Sequence, residues 1–289
     1  MGNIDAALME QVMAPKDAEG AVQLSIEAGW NQTIDDWRFM LAHGRGLGVR
    51  GSEEQWIGSS VTLPLGDNLS WISMVLVARQ YRRRGIGTRL LRRCIDAVRS
   101  SGAVAGLDAT ELGRPVYLRL GFRDLYSISR WRLSNRSGAA APSADRLIRP
   151  VVPADLPSLV SFDTARSGMQ REPVLRYLCA QSPQRAFVAE SSGLIAGYVL
   201  GRPGHAAVQV GPVASENEEL ALALMRQAVA AAQAAVIIDV PDRHERVRSW
   251  LAAQGAVRQR GFTRMVLGEP PASLASPGAL FALAGPELG

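Results

Sequence analysis

Between Arg82 and Thr88 the chain reads Arg-Arg-Arg-Gly-Ile-Gly-Thr, three guanidinium groups and then two glycines one residue apart. That combination suits an anion: arginine offers a planar fork of charged donors, and glycine lets backbone N–H groups come close to oxygens. The segment also opens a helix, because Ile86, Leu90, Leu91, Cys94, Ile95 and Val98 recur on one face of a 3.6-residue period. A helix start leaves backbone N–H groups without intrahelical partners and carries the positive end of the dipole, so residues 82–88 read as a phosphate site. Neither familiar nucleotide loop fits. A Walker loop ends in Gly-Lys followed by Ser or Thr, and the dinucleotide fingerprint needs three glycines within a strand-helix-strand unit.

A second constellation lies about thirty residues on, in Glu111-Leu-Gly-Arg-Pro-Val-Tyr-Leu-Arg-Leu-Gly-Phe122. Pro115 suits a first helical position and Gly121 a C-terminal cap, which puts the Tyr117 phenol on a short helix. Upstream, Trp30, Asn31 and Asp36 read either as a substrate wall with a carboxylate to attract a cation or as a packed helix corner with a capping residue. Glu53, Glu54, Asp35, Asp36, Asp108 and Glu111 are all possible bases, and nothing in their spacing separates them. His43, His205 and His244 share no spacing with acids or cysteines, and Cys94 and Cys179 form no ligand pair, so no metal site is expected.

Those residues need a frame. A mostly apolar strand at Leu69 to Val77 feeds the arginine turn, the helix runs from Gly85 to Ser100, and a strand at Val104 to Ala109 leads to the tyrosine helix at Pro115 to Leu120. Before them come helices at Lys16 to Ala28 and Ile34 to Ala42 and strands at Leu47 to Gly51 and Trp56 to Leu65; two closing strands follow. A polar, small-residue connector then runs through residues 134–145. Beyond it the order repeats: helices at Ala154 to Phe162 and Pro173 to Cys179, and strands at Ala186 to Glu190, Leu194 to Leu200 and Ala206 to Val213. A helix at Glu216 to Ala232, a strand at Val236 to Val240, a helix at His244 to Gln254 and a strand at Thr263 to Leu267 complete it. The expected organisation is therefore two α+β domains, residues 1–133 and 146–268, and a Pro/Ala/Gly-rich tail from 269 to 289.

At 289 residues, 47% hydrophobic and 20% charged, the chain has the balance of a globular protein with a real core, which excludes disorder or a fibre as its main state. No apolar run is long enough to span a membrane and the first residues lack a signal-peptide pattern, so a cytoplasmic protein with no membrane partner is expected. The net charge of +5 comes from arginines spread through both halves, with no basic stripe bearing base-reading partners, so nucleic acid is not an expected partner.

Arg82-x-x-Gly85-x-Gly87 together with Tyr117-x-x-x-Gly121-Phe122 makes the first domain resemble the GCN5-related N-acetyltransferases (GNAT). The resemblance implies a mixed, mostly antiparallel sheet flanked by helices, in which two parallel strands splay apart and the pantetheine arm of acetyl-CoA lies between them like an added strand. By that likeness Val75, Leu76 and Val77 hold pantetheine through their backbone. Arg82, Arg83, Arg84, Gly85, Ile86, Gly87 and Thr88 hold the pyrophosphate, and Tyr117 sits near the sulfur. Gly29-Trp-Asn-Gln-Thr-Ile-Asp-Asp36, Leu107-Asp-Ala109 and Arg260-Gly-Phe-Thr-Arg-Met265 resemble, more narrowly, a bacterial branch with two such domains in tandem, although Gln32 and Thr33 stand where that branch has Pro-Gly.

At the matching position of the second domain stands Val210-Gly-Pro-Val-Ala-Ser-Glu-Asn217, with no arginine and with Glu216, Glu218 and Glu219 beside the helix start. Negative charge there repels a pyrophosphate, and Leu251 replaces the tyrosine, so this copy reads as degenerate and as a wall on the substrate side. Its Asp163, Arg171 and Arg202 read as solvated surface. The expected activity is acetyl transfer from acetyl-CoA to the primary amine of a small metabolite by direct attack on the thioester. Backbone N–H groups near Val75 to Val77 would stabilise the oxyanion, and Tyr117 would give its proton to the leaving thiolate. A noncatalytic coenzyme A sensor and a protein or peptide acetyltransferase remain as alternatives.

Overall fold

The computed structural model describes residues 9–134, 148–275 and 278–289, and the chain divides into two compact units after Leu107. In the first unit the elements are β1 (Glu10–Met13), α1 (Ala18–Glu27), α2 (Ile34–His43), β2 (Arg45–Arg50), β3 (Trp56–Pro64), β4 (Leu69–Val77), α3 (Ile86–Ser100) and the start of β5 (Val104–Thr110). The strands lie in the order β1-β2-β3-β4-β5, antiparallel through β4 and parallel between β4 and β5. Every residue of β3 from Trp56 to Leu63 is buried, because helices pack on this strand.

All six apolar positions read on α3 are buried. Ile86 and Leu90 pack with Leu47, Val49 and Ile57 of the sheet. At about 2 kcal/mol for each fully buried aliphatic side chain, the gross contribution of this face is on the order of 10 kcal/mol before chain entropy is subtracted. The first turn of α3 is thereby fixed to the sheet at the end of β4.

The second unit begins inside β5 at Asp108. It continues through α4 (Arg114–Arg119), β6 (Arg123–Leu133), β7 (Ile148–Pro150), α5 (Leu156–Ser167), α6 (Glu172–Gln181), β8 (Phe187–Ser191), β9 (Leu194–Arg202) and β10 (Val208–Ser215). There follow α7 (Glu218–Ala230), β11 (Val236–Pro241), α8 (Glu245–Ala253), β12 (Val257–Leu267), α9 (Ala272–Ala275) and β13 (Leu280–Ala282). The strand order is β12-β6-β11-β10-β9-β8-β7, with β13 on β10 and a parallel pair between β10 and β11. Its core joins β8 to β11 with α7 and α8 and includes Phe281 and Ala282 of the tail.

The two α+β copies appear as read, with instructive differences. The expected pair of closing strands is one strand, β6, because residues 123–133 hold no glycine or proline to interrupt it. It lies between β11 and β12 by antiparallel register, which is why residues from Asp108 onward group with the second unit. β12 starts at Val257, six residues before the expected Thr263, and β1, β7 and β13 are further short strands. The connector read at 134–145 lies, from residue 135 on, outside the described residues.

Candidate active site

β4 is not a regular strand. Ser59 pairs with Leu76 and Val61 with Ser73, so β4 carries one residue more than β3 between those pairs. Met74 absorbs the extra residue in the left-handed region, at φ 52°, and its carbonyl accepts a hydrogen bond from Ser59 Oγ at 2.9 Å. A bulge of this kind bends the strand and interrupts its ladder. The parallel register with β5 is recorded from Leu69/Val104 to Trp71/Gly106, and β4 runs on from there through the bulge to Val77. Beyond the bulge Val75 and Val77 are half-buried, while Leu76 between them turns its side chain into the core.

The turn after β4 folds back on that strand. Arg82 Nε donates to the Val77 carbonyl at 2.9 Å, and a Cβ on Gly87 would lie 3.3 Å from Val77 Cγ2, so strand end and helix start are in contact. Arg83 takes φ 63° and Gly85 takes φ 81° as the N-cap of α3. Nothing stands within 4 Å of where a Gly85 Cβ would be, so glycine is needed there for its backbone and not for space. No side chain caps α3 at this position. Arg82, Arg83, Arg84 and Gly85 are exposed, and Arg84 rests over the Tyr81 ring at 5.2 Å and donates to the Gln80 carbonyl. Charge, glycine and the first turn of α3 thus occur together. The start of this turn is tied to α1, since Arg79 N–H donates to Glu27 Oε1 at 2.7 Å and Arg79 Nη2 to the Glu27 carbonyl.

Glu27 leads into the corner between α1 and α2. There Asp36 is buried and completes a capping box: its carboxylate accepts from the Thr33 backbone N–H at 2.7 Å, and its own N–H donates to Thr33 Oγ1. Asn31 is buried and Trp30 half-buried. Gln32 is 3% exposed, and its Oε1 has no hydrogen-bond partner among the described residues.

Tyr117 lies on α4 in the second unit, half-buried, with its ring 5.9 Å from that of Phe122. A Cβ on Gly113 would lie 2.8 Å from the Tyr117 ring, and the Tyr117 carbonyl accepts from Phe122 N–H as the turn closes through Gly121.

The acids separate once their partners are visible. Asp108 is half-buried as a residue with its side chain only 1% exposed, and both its oxygens accept from Arg264, from Nε and Nη2 at 2.8 Å each. The two marks Leu107-Asp-Ala109 and Arg260 to Met265 are therefore one physical feature. Burial pushes the Asp108 carboxyl upward, and the Arg264 guanidinium opposes that shift. Asp35 is exposed beside Arg38, and Glu53, Glu54 and Glu111 are exposed on turns.

In the second unit, Asp163, Arg171 and Arg202 are not surface residues: all three are at most 1% exposed. Arg171 donates to both oxygens of Asp163 at 2.9 Å, and Tyr198 O–H donates to the same carboxylate. Arg202 pairs with Glu287, and Arg130 pairs in the same two-pronged way with Asp239 at 2.7 Å, where Gln209 Nε2 also donates. The start of α7 is capped by Asn217, whose Oδ1 accepts from Leu220 N–H at 2.9 Å, with Glu218 and Glu219 in the first turn. α3 and α7 hold equivalent places with opposite charge, and only α7 is capped by its own side chain. Among the described residues no group of histidine, cysteine or carboxylate ligands is placed to hold a metal ion, and no helix is long and apolar enough to cross a membrane.

Comparison with known proteins finds one family match in each half of the chain. The acetyltransferase (GNAT) family model matches residues 17–122, and an acetyltransferase (GNAT) domain model matches residues 159–279. An uncharacterized N-acetyltransferase of Bacillus subtilis (strain 168), YitH, is 25% identical over 82% of this chain and 83% of its own. Among solved structures, a Pyrococcus horikoshii protein assigned as an acetyltransferase is similar over 100% of this chain and 98% of its own, with a TM-score of 0.80 at 19% identity. A tandem GNAT protein from the clavulanic acid biosynthesis pathway is similar over 92% and 99%, with a TM-score of 0.61 at 15% identity. The chain belongs to the GCN5-related N-acetyltransferase superfamily, carries two of its domains in tandem, and is an acetyltransferase.

Proposed function

We propose that this protein transfers an acetyl group from acetyl-CoA to the primary amine of a small metabolite, and that residues 75–77 and 82–88 hold the acyl carrier. The observation that carries this reading is the strained segment at the end of β4. Met74, immediately before residues 75–77, and Arg83, within 82–88, are both held in the left-handed region, and neither is a glycine. Such conformations cost on the order of 1 kcal/mol each and persist where the surroundings impose them, most often at binding sites.

The residues fit the group. The first N–H groups of α3, with the exposed Arg83 and Arg84, match a diphosphate, and the strand beyond the Met74 bulge offers backbone to the amides of a pantetheine arm. Acetyl-CoA supplies an acyl thioester, whose carbonyl is open to attack by a neutral amine. Backbone N–H groups around Val75 to Val77 stabilise the oxygen on which charge develops, and the Tyr117 phenol gives its proton to the departing thiolate. Asp108 takes no proton from the substrate, since both its oxygens are engaged by Arg264; a water relay removes the ammonium proton. On the acceptor side Trp30 and Asn31 form a wall, and the buried Gln32 Oε1 accepts an ammonium hydrogen. Asp36 acts there through the helix cap it makes.

The test is a thiol-release assay with the purified full chain, acetyl-CoA and a panel of amines: amino acids, polyamines, aminoglycosides and short peptides. Turnover with a small amine is the expected result. Turnover confined to peptides replaces the acceptor class, and tight acetyl-CoA binding with every amine inert makes the protein a sensor.

A further inference from the structure

We propose that the second unit contains a strand-accepting slot between β10 and β11, and that its resident ligand is the chain's own segment 279–289. The slot is visible in the register. β10 and β11 pair in parallel at Val208/Val236 and Gln209/Ile237, and the recorded pairing goes no further. Past that point the tail takes over both edges. β13 pairs antiparallel with β10 at Val213/Ala282 and Ala214/Leu280, Ser215 N–H donates to the Ala279 carbonyl at 3.0 Å, and Leu283 N–H donates across to the Asp239 carbonyl of β11 at 2.9 Å. The segment therefore behaves as an inserted strand bonded on both sides, the geometry by which sheets bind extended peptides.

The slot is shaped for that backbone. A Cβ on Gly211 would collide with the Leu283 carbonyl, so β10 has glycine where the tail comes closest. Leu280, Ala282, Ala284 and Leu288 are all 0% exposed. His244 Nε2 lies 2.9 Å from the Leu280 carbonyl, and its ring sits tilted against that of Phe281, 4.4 Å between centroids. Farther along, the tail delivers oxygens to two buried guanidiniums: the Glu287 carboxylate to Arg202 and the Gly289 carbonyl to Arg171. The ligand class is therefore an extended, two-sided amide chain followed by a carboxylate. This slot is the counterpart of the place beside β4 assigned above to pantetheine, yet the proposal stands on the second unit alone. Its consequence is that the second copy is closed to an acyl carrier by its own tail as well as by the acids at the start of α7.

The experiment cuts the tail after folding. A protease site replacing Glu269–Pro271 in the full chain is cleaved in the native state, and the cut protein is passed over a sizing column. The tail fragment is expected to stay bound and to exchange only with added synthetic peptide 279–289. The same peptide with Glu287→Ala is expected to need about tenfold or more concentration, since one partner of a buried ion pair is lost. Release of the fragment on cleavage, or equal competition by both peptides, overturns the proposal. If the cut protein aggregates, hydrogen exchange on the uncut chain decides. The Leu283 and Ser215 amides must exchange as slowly as those of Val199 or Val210, and fast exchange overturns the proposal. A retained tail in a chain that fails to bind acetyl-CoA supports the slot and removes only the cofactor reading of the first unit.

Discussion

At the scale of single residues, buried arginines are the least expected part of this molecule. Arg130, Arg171, Arg202 and Arg264 lie in the interior of the second unit, each against a carboxylate. Residue type alone points such groups to solvent, and three of the four partners that reverse this are distant: Asp239 lies 109 positions from Arg130, Glu287 lies 85 from Arg202, and Asp108 lies 156 from Arg264, whereas Asp163 is only eight from Arg171. Removing one partner of such a pair strands the other charge, so Arg264→Met is expected to lower stability by about 3–5 kcal/mol in urea unfolding. The double variant with Asp108→Leu is expected to recover much of that loss. A loss below 1 kcal/mol in the single variant would show that the pair is not buried in solution. Tyr117→Phe tests chemistry instead. The expected result is a fall of about a hundredfold in kcat with KM for acetyl-CoA unchanged, and equal turnover reassigns the phenol to packing against Phe122. The turn through Arg82 to Gly85 and the short helix that carries Tyr117 could be read because their spacing is local; the Met74 bulge and its Ser59 contact could not, because a bulge leaves no mark in residue type.

At the scale of elements, the strand, turn and helix from Leu69 to Ser100 could be read almost residue for residue, because one apolar run and one amphipathic face specify them. The tail could not. Three residues of β13 have no period, and Pro, Ala and Gly around them resemble a loose end until β10 and β11 are seen to part. Its anchor makes stability depend on pH. Burial pushes the His244 imidazole down to about 4, below the ordinary value of about 6.5 in an unfolded chain. Between those values the unfolded state binds the extra proton, so the stabilisation is fully present above about pH 6.5 and is lost as pH falls toward 4. From this group the loss is on the order of 3 kcal/mol, and His244→Gln is expected to flatten that part of the profile. A urea midpoint that does not change between pH 7 and 5 contradicts this. At the other corner, Thr33→Ala removes the capping box of α2 and is expected to cost about 1 kcal/mol, measured the same way.

At the scale of the whole molecule, two copies of one plan have parted along a line that electrostatics explains. One helix start keeps three arginines and no side-chain cap; the other has an asparagine cap and acids in its first turn. From that asymmetry we propose that acetyl-CoA is held by residues 82–88 of the first copy and not by the second. Calorimetric titration of the purified full chain with acetyl-CoA tests it most directly. One site per chain is predicted, weakened about tenfold or more by Arg84→Glu, because a charge-assisted contact to phosphate becomes a repulsion. Two sites per chain, no binding, or an affinity indifferent to Arg84→Glu would contradict it.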